Sequence, residues 1–329
     1  MRRREVIALT ATALLAWPLI GRAQQPAKSA RLGYLGFGAA SDRASAARVE
    51  ALRAGLRDLG YVEGKNLVIE FRWSGTVEQL HEAAAELARM KVDLIFASSS
   101  TEVEPARRAT STIPIVFATH ADPEGLGHVS SLARPGRNMT GLAVMQSDIA
   151  AKRLEILKET APQAARFGVL WDSTAPSYRP FLQAAEAASG KLGVQLLTVG
   201  VSTVADYAAA LAKMAQDRVG GVLVHASVLT ARHDPGRLAE LALKHRLPTM
   251  FGATDNVMAG GLMSYAPDMI DQHRRAAAYI DKILKGAKPG ELPIEQASKF
   301  EFVINLKTAK ALGVTIPASL RMRADHVID

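Results

Sequence analysis

The chain has 329 residues, with 40 Lys plus Arg against 32 Asp plus Glu for a net charge of +8, 48% apolar residues and no cysteine. That is the composition of a packed globular protein, and the length suits about two domains of roughly 150 residues, each large enough to bury its own core. The absence of cysteine excludes thiolate zinc sites, iron–sulfur clusters, cysteine nucleophiles and lipid attachment through an N-terminal cysteine.

Arg2, Arg3 and Arg4 precede an uncharged, mostly apolar stretch from Val6 to Ile20, and Gly21-Arg22-Ala23 puts small residues before a cut at Gln24. Residues 1–23 therefore read as a secretory signal, too short in its apolar part to span a bilayer. The consecutive arginines followed by Glu5, Val6 and Ile7 also match a twin-arginine signal in part, so both export routes stay open. Cleavage removes four Arg and one Glu and lowers the charge from +8 to +5. The remaining basic residues are scattered, Arg107-Arg108 and Arg274-Arg275 being the densest pairs, and no aromatic-interleaved basic stripe marks a nucleic-acid partner.

In the mature chain, apolar runs alternate with Ala-rich amphipathic stretches. Strands are expected at Arg31 to Leu35, Leu67 to Phe71, Asp93 to Ala97, Ile113 to Ala118 and Met139 to Ala143. Helices are expected at Asp42 to Leu59, Val77 to Met90, Glu102 to Thr110 and Gly125 to Ala133. Continuous apolar strands without in/out alternation belong to a parallel sheet covered by helices on both faces, so the fold class is α/β and doubly wound. The pattern then restarts, with strands at Arg166 to Trp171, Val194 to Val199, Gly220 to Val224, Leu247 to Phe251 and Leu262 to Tyr265. Helices in this half are expected at Ile149 to Thr160, Tyr178 to Leu192, Ala205 to Gln216 and Arg237 to His245. Gly33-Tyr34-Leu35 recurs as Gly168-Val169-Leu170 at an offset of 135, and Ile113-Pro114 with Phe117 recurs as Leu247-Pro248 with Phe251 at 134. The agreement of the two offsets suggests two similarly built halves.

Ligands of open α/β sheets bind beyond the carboxyl ends of the strands, so the residues just after each strand are the candidates. In the first half these are Phe37, Gly38 and Ser41, then Ser98, Ser99, Ser100 and Thr101, then Thr119, His120 and Asp122. In the second half they are Asp172, Ser173 and Ser177, then His225, Ala226 and Ser227, then Thr254 and Asp255. The run Ser98 to Thr101 before a helix forms either an anion site, through free N–H groups and the helix dipole, or a simple N-cap. Phe37, Trp171, Phe251 and Tyr265 lie at strand ends, where they either sandwich a flat solute or plug the rim of a lobe. Asp122, Asp172 and Asp255 suit an ammonium group, and Asp172 and Asp255 equally suit the capping of the helices that follow.

Catalytic and cofactor motifs are missing. Gly36-Phe37-Gly38 begins a dinucleotide fingerprint, but Ser41 stands in the place of its third glycine and the next strand acid, Glu70, lies 34 residues after Gly36. No cofactor is expected. His120, Asp122 and His128, or His225 with His233-Asp234, lack metal-ligand spacing and read as loop hydrogen bonding.

Several segments carry a family resemblance: Ile113 to Phe117, Asp122-Pro123, Ser131-Leu132-Ala133-Arg134-Pro135-Gly136 with Arg137 to Gly141, Gly260 to Tyr265, Ile283 to Gly286, and Phe302 to Gly313 with its Asn305-Leu306-Lys307-Thr308-Ala309. From about Arg31 to the C-terminus the chain resembles the periplasmic solute-binding component of ABC transporters, in the branch with tryptophan- and tyrosine-binding proteins. It departs at Ala266, where many relatives have glycine, and at His120.

The resemblance implies a type I periplasmic-binding-protein fold, a Venus flytrap of two lobes joined by three crossovers near Val144, Tyr265 and Ala297. Lobe 1 is then residues 24–144 plus 266–297, and lobe 2 is residues 145–265 plus 298–329. It implies a periplasmic protein that captures a small molecule, an amino acid or related carboxylate, and hands it to an ABC permease. On this scaffold the carboxylate is expected at Ser99 to Thr101 and the ammonium at Asp255 or Asp172. A sensor subunit for a membrane kinase, or an enzyme using His120 with Asp122, are the other readings.

Overall fold

A computed structural model describes residues 29–329, apart from the side chains of residues 146, 147, 232 and 233; the expected signal lies outside the described residues. In chain order the first half forms β1 (Ala30–Phe37), α1 (Arg43–Asp58), β2 (Leu67–Ser74), α2 (Val77–Arg89), β3 (Leu94–Ser99), α3 (Ser100–Ala109), β4 (Ile115–His120) and β5 (Met139–Ala143). The second half forms α4 (Gln146–Thr160), β6 (Arg166–Asp172), α5 (Tyr178–Leu192), β7 (Gln195–Val201), α6 (Asp206–Gln216), β8 (Val222–Val224), α7 (Pro235–Lys244), β9 (Thr249–Phe251), α8 (Thr254–Met258) and β10 (Met263–Pro267). The remainder is α9 (Met269–Leu284), β11 (Glu295–Gln296), β12 (Phe300–Asn305), α10 (Leu306–Leu312), α11 (Ala318–Arg323) and β13 (His326–Ile328).

The strands form two sheets, ordered β2-β1-β3-β4-β5-β11 and β7-β6-β8-β9-β10-β12-β13. The first five strands of each sheet follow one wiring scheme and pair in parallel, which accounts for the repeated tripeptides: β1 and β6 occupy the same place in their sheets. The glycine of each tripeptide makes room for a covering side chain. A Cβ at Gly33 would come within 3.0 Å of Leu87 Cδ2, and one at Gly168 within 2.8 Å of Met214 Sδ. Burial of consecutive strand residues follows from cover on both faces: Phe167, Val169, Leu223 and Met250 enter one core of the second sheet, while Leu170, Val222, Val224 and Phe251 enter the other.

The chain changes sheets between β5 and α4, between β10 and α9, and between β11 and β12. In the first of these passages Met145 holds a left-handed backbone at φ 44°, a strained conformation for a side-chain-bearing residue. Helix α9 packs along α1 and buries Ala276, Ala277 and Ile280 among Leu52, Leu56, Phe96 and Val116. Gly55 is what permits that approach, because a Cβ there would stand 2.4 Å from the Arg274 carbonyl oxygen. A glycine inside a helix usually costs about 1 kcal/mol relative to alanine, and here the close packing of two helices offsets it.

One expected helix, Gly125 to Ala133, is a chain of turns. Asp122 accepts the Gly125 N–H on its side chain at 2.8 Å and the Leu126 N–H on its carbonyl, and Gly127 takes φ +67°, so local hydrogen bonds compete successfully with a helix. The Ser131 to Gly141 segment of the family resemblance continues from it as a tied loop: Ser131 Oγ accepts the Arg134 N–H at 3.1 Å, and the Gly136 N–H donates to the Gly290 carbonyl at 3.0 Å. These residues seat the segment that leads into β11.

Candidate functional site

A cavity of about 270 Å³ lies where the carboxyl ends of the two sheets meet. Its wall takes Arg48, Ser99, Ser100, Thr101 and Thr119 from the first sheet's side, and Arg153, Ser177, Ala226, Ser227, Gly252, Thr254 and Asp255 from the second. Val144, Pro267, Asp268 and Glu301 close it near the passages between lobes, and Ala44, Ala47, Ala175, Val228 and Ala231 make much of the rest apolar. A second space of about 630 Å³ adjoins it, sharing Thr101, Ala175, Pro176 and Val228.

Of the residues expected from the sequence, Ser99, Ser100, Thr101, Thr119, Ser177, Ala226, Ser227, Thr254 and Asp255 meet at this cavity, and Phe37 and Asp172 line only the second space. The aromatic sandwich is not assembled. Trp171 stacks on Tyr178 at 4.8 Å, Tyr265 stacks on Phe300 at 5.4 Å, and Phe251 belongs to the core. Gly38 and Ser41 lie on the turn after β1, with Ser41 exposed, and Ser173 is exposed with its hydroxyl on the Val201 carbonyl. Asp122 caps its turn, and Asp172 accepts the Thr174 N–H and hydroxyl at 2.8 and 2.6 Å, a local turn at the wall of the second space. Ser98, His120 and His225 are buried behind the wall.

The hydroxyls around the cavity are largely committed to the protein. Ser99 caps α3 with a complete capping box: its side chain accepts the Thr101 N–H and donates to Glu102, whose carboxyl group also accepts the Ser99 N–H at 3.0 Å. A fully buried Glu102 therefore already occupies the helix start where a ligand carboxylate was expected. Ser98 Oγ contacts His273 Nε2 at 2.9 Å, and the Thr119 hydroxyl donates to the Ser98 carbonyl at 2.8 Å.

Ser100 heads a buried chain. Its Oγ accepts the Ala121 N–H at 2.8 Å and lies 3.4 Å from His120 Nδ1, which itself accepts the Asp122 N–H. Nδ1 is thus the acceptor nitrogen, so His120 Nε2 donates to His128 Nδ1 at 2.8 Å and His128 Nε2 donates to Glu104 at 2.9 Å. In the other lobe Ser177 Oγ lies 3.0 Å from His225 Nε2.

Burial pushes His225 down to about 3, the nearby Arg153 charge adding to it, and burial with the His128 charge holds His120 well below the usual histidine range. Unfolded, both rings titrate near 6.5, so on acidification the unfolded chain binds protons first. The stability gained by keeping these rings neutral is complete above about pH 6.5 and is lost as pH falls, by about 1.4 kcal/mol per pH unit for each ring. Melting temperature is expected to drop steadily from pH 6.5 to pH 4.5, and His225→Gln to make that slope shallower, with the buried His120 and His128 still contributing. A wild-type melting temperature constant across the window would show that the rings are not held neutral.

Two charged features were not apparent in the strand-end residues. Arg48 of α1 donates to Asp255 of α8 at 2.5 Å, an ion pair that joins the two lobes across the cavity. Arg153 of α4 is fully buried, its Nε on the Tyr265 carbonyl at 2.7 Å and its Nη2 on the Gly252 carbonyl at 3.2 Å. The sequence does hold a signal for it: Ile149, Ala150, Leu154 and Leu157 form the apolar face of α4, and Arg153 falls on that face at helical spacing. At the rim, burial and the neighbouring Asp268 charge raise the Glu301 pKa. For Asp268 itself burial opposes ionisation, but the Lys299 hydrogen bond and the Asp271 N–H outweigh it and hold the carboxyl below its usual range. Among the described residues no cluster of His, Asp and Glu is placed to hold a metal, and no helix is long and apolar enough to cross a membrane.

Residues 40–328 match the family model of ABC transporter substrate binding proteins. A tyrosine-binding protein of Clostridioides difficile (strain R20291) is 25% identical over 273 residues, covering 83% of this chain and 76% of the relative. Among solved structures, an ABC domain from Streptococcus pneumonia in complex with L-Trp superimposes with a TM-score of 0.84 at 27% identity, over 92% of this chain and all of the other. A conserved domain protein from Vibrio cholerae gives 0.85 at 26% identity, over 91% of this chain and all of the other.

Proposed function

This chain belongs to the ABC transporter substrate binding protein family and has a two-lobed type I periplasmic-binding-protein fold, and from that premise we propose that it captures an amino acid or a closely related carboxylate between its lobes and delivers it to an ABC permease. The supporting observation is the cavity between the carboxyl ends of the two sheets, spanned by the Arg48–Asp255 pair, because a ligand there touches both lobes only when they are closed. That differential contact is what allows a solute to drive closure, and the closed form is the signal a permease reads. The L-Trp and tyrosine binding stated for similar proteins supports the ligand class. Residues 1–23 serve as the export signal in this reading, and the mature protein works in the periplasm.

A ligand that binds only the folded state stabilises it by about 2.7 kcal/mol at a hundredfold excess over Kd, or several degrees for a protein of this size. Melting shifts are expected with L-tryptophan, L-tyrosine, L-phenylalanine or L-leucine and not with sugars, and the bound acid should return unchanged on mass spectrometry. Shifts with sugars alone would remove the amino-acid reading.

A further inference from the structure

Arg153 stands out in the lobe 2 wall because its charge has no counterpart. It is fully buried, no acid among the described residues forms an ion pair with it, and its Nη1 has no hydrogen-bond partner. Of the acids around the cavity, Asp255 pairs with Arg48 and Asp268 with Lys299, and Glu301 forms no ion pair with Arg153, its near cationic neighbour being His326 at 3.9 Å. Burial lowers the Arg153 pKa to about 9, which still leaves the guanidinium charged at neutral pH. A buried cation is retained in a fold when something of opposite charge meets it.

Geometry places that meeting point at the cavity. The guanidinium lies across the carboxyl end of β9 and the middle of β10, held by the Gly252 and Tyr265 carbonyls, and Arg153, Gly252 and Ala226 wall the cavity together. Gly252 lets the guanidinium pack against the end of β9: a Cβ there would stand 3.0 Å from Nη1 and 2.6 Å from the Ala226 Cβ. We propose that Arg153 anchors the carboxylate of the solute from lobe 2, the ligand supplying through Nη1 the negative charge that the protein does not provide. This rests on the solute-binding reading and deepens it, because it moves the carboxylate away from the α3 start, where Glu102 sits, and makes one negative charge a requirement. A doubly charged phosphate suits the site less well, since Asp255, Asp268 and Glu301 share the same wall with a single unpaired cation.

The test compares acid with amide on intact protein by calorimetric titration. Wild type is expected to bind L-tryptophan about a hundredfold or more tighter than L-tryptophanamide, the loss that follows when one partner of a buried charged pair is removed. Arg153→Met should bind both weakly and within about threefold of each other, while Arg153→Lys keeps the charge without the fork and should fall between. Equal binding of acid and amide by wild type, or an undiminished acid preference in Arg153→Met, overturns the anchor. If none of L-tryptophan, L-tyrosine, L-phenylalanine and L-leucine binds wild type, the amino-acid reading falls and takes the anchor with it. If they bind and only the dependence on Arg153 is missing, the amino-acid reading stands alone. Should Arg153→Met fail to fold, the acid-to-amide ratio in wild type and in Arg153→Lys decides.

Discussion

An Asp255→Asn variant is expected to bind L-tryptophan roughly ten- to a hundredfold more weakly than wild type, with most of the change in the rate of release. Arg48 Nη2 and Asp255 Oδ2 lie on different lobes at 2.5 Å, so their bond exists only while the lobes are together. Whatever it contributes is contributed to the closed form alone, which is the form that holds solute. Arg48 is nearly sealed, whereas the Asp255 side chain is 29% exposed, so solvent screens the pair in part. A charge-assisted hydrogen bond of this kind is worth about 1.5 to 3 kcal/mol, one to two factors of ten in affinity. Asparagine keeps the shape and removes the charge, so the unliganded melting temperature should move little. Combining Arg48→Met with Asp255→Asn should cost little more than Asp255→Asn alone, since the two act as one contact. Calorimetry with L-tryptophan reads the affinities, and small-angle scattering reads the lobe separation. An Asp255→Asn protein with wild-type affinity would show that the bridge does not hold the closed state. Additive losses would instead return Asp255 to the ligand's ammonium, the role its position after β9 suggests.

The largest stability loss is expected from Gly141→Ala, about 4 kcal/mol or more in urea unfolding. Gly141 sits in β5 opposite Phe117 of β4 with φ +146°, and a Cβ would stand 2.0 Å from the Phe117 carbonyl oxygen and 2.8 Å from its nitrogen. Both obstacles are backbone in the interior of a sheet, and neither can swing aside as a side-chain tip would. The register shift between Phe117 and His120 lies beside it, so the strain of this substitution would also disturb the strand end that carries His120. A loss below about 1 kcal/mol would mean that the two strands separate more easily than this pairing allows.

Nothing in the sequence announces that φ. Gly141 reads as one small residue in a strand, and its backbone conformation depends on a strand more than twenty residues earlier. The sheets themselves were legible because their strands, covered on both faces, spell continuous apolar runs, as Leu94 to Ala97 and Ile115 to Ala118 do. The turns from Gly125 to Ala133 were not, since apolar spacing carries no record of Asp122 capping a turn. At the cleft, strand-end position found Ser100, Thr119, Ser177 and Asp255, but it cannot say to whom a hydroxyl is bonded: Ser99 turns to Glu102, and Ser98 to His273. For Trp171 and Tyr265 strand-end position left a sandwich and a rim plug equally open, because the choice depends on the aromatic neighbours, Tyr178 and Phe300, that stack on them. Arg153 was legible as a charge on an apolar helix face, a signal that strand ends alone do not examine.

The return of α9 to the first lobe also fixes an order of events during synthesis. Ala276, Ala277, Tyr279 and Ile280 complete a core whose earlier members, Leu32 to Leu142, leave the ribosome more than 130 residues before them. Until α9 arrives, α1 and β4 present a greasy face with nothing on it, while the second lobe is being made in between. Contacts so distant in sequence form slowly and leave partly finished chains prone to sticking together. A nascent chain of this kind has reason to be met by a holding chaperone, and a chain that stops before residue 269 carries a first lobe with a missing wall.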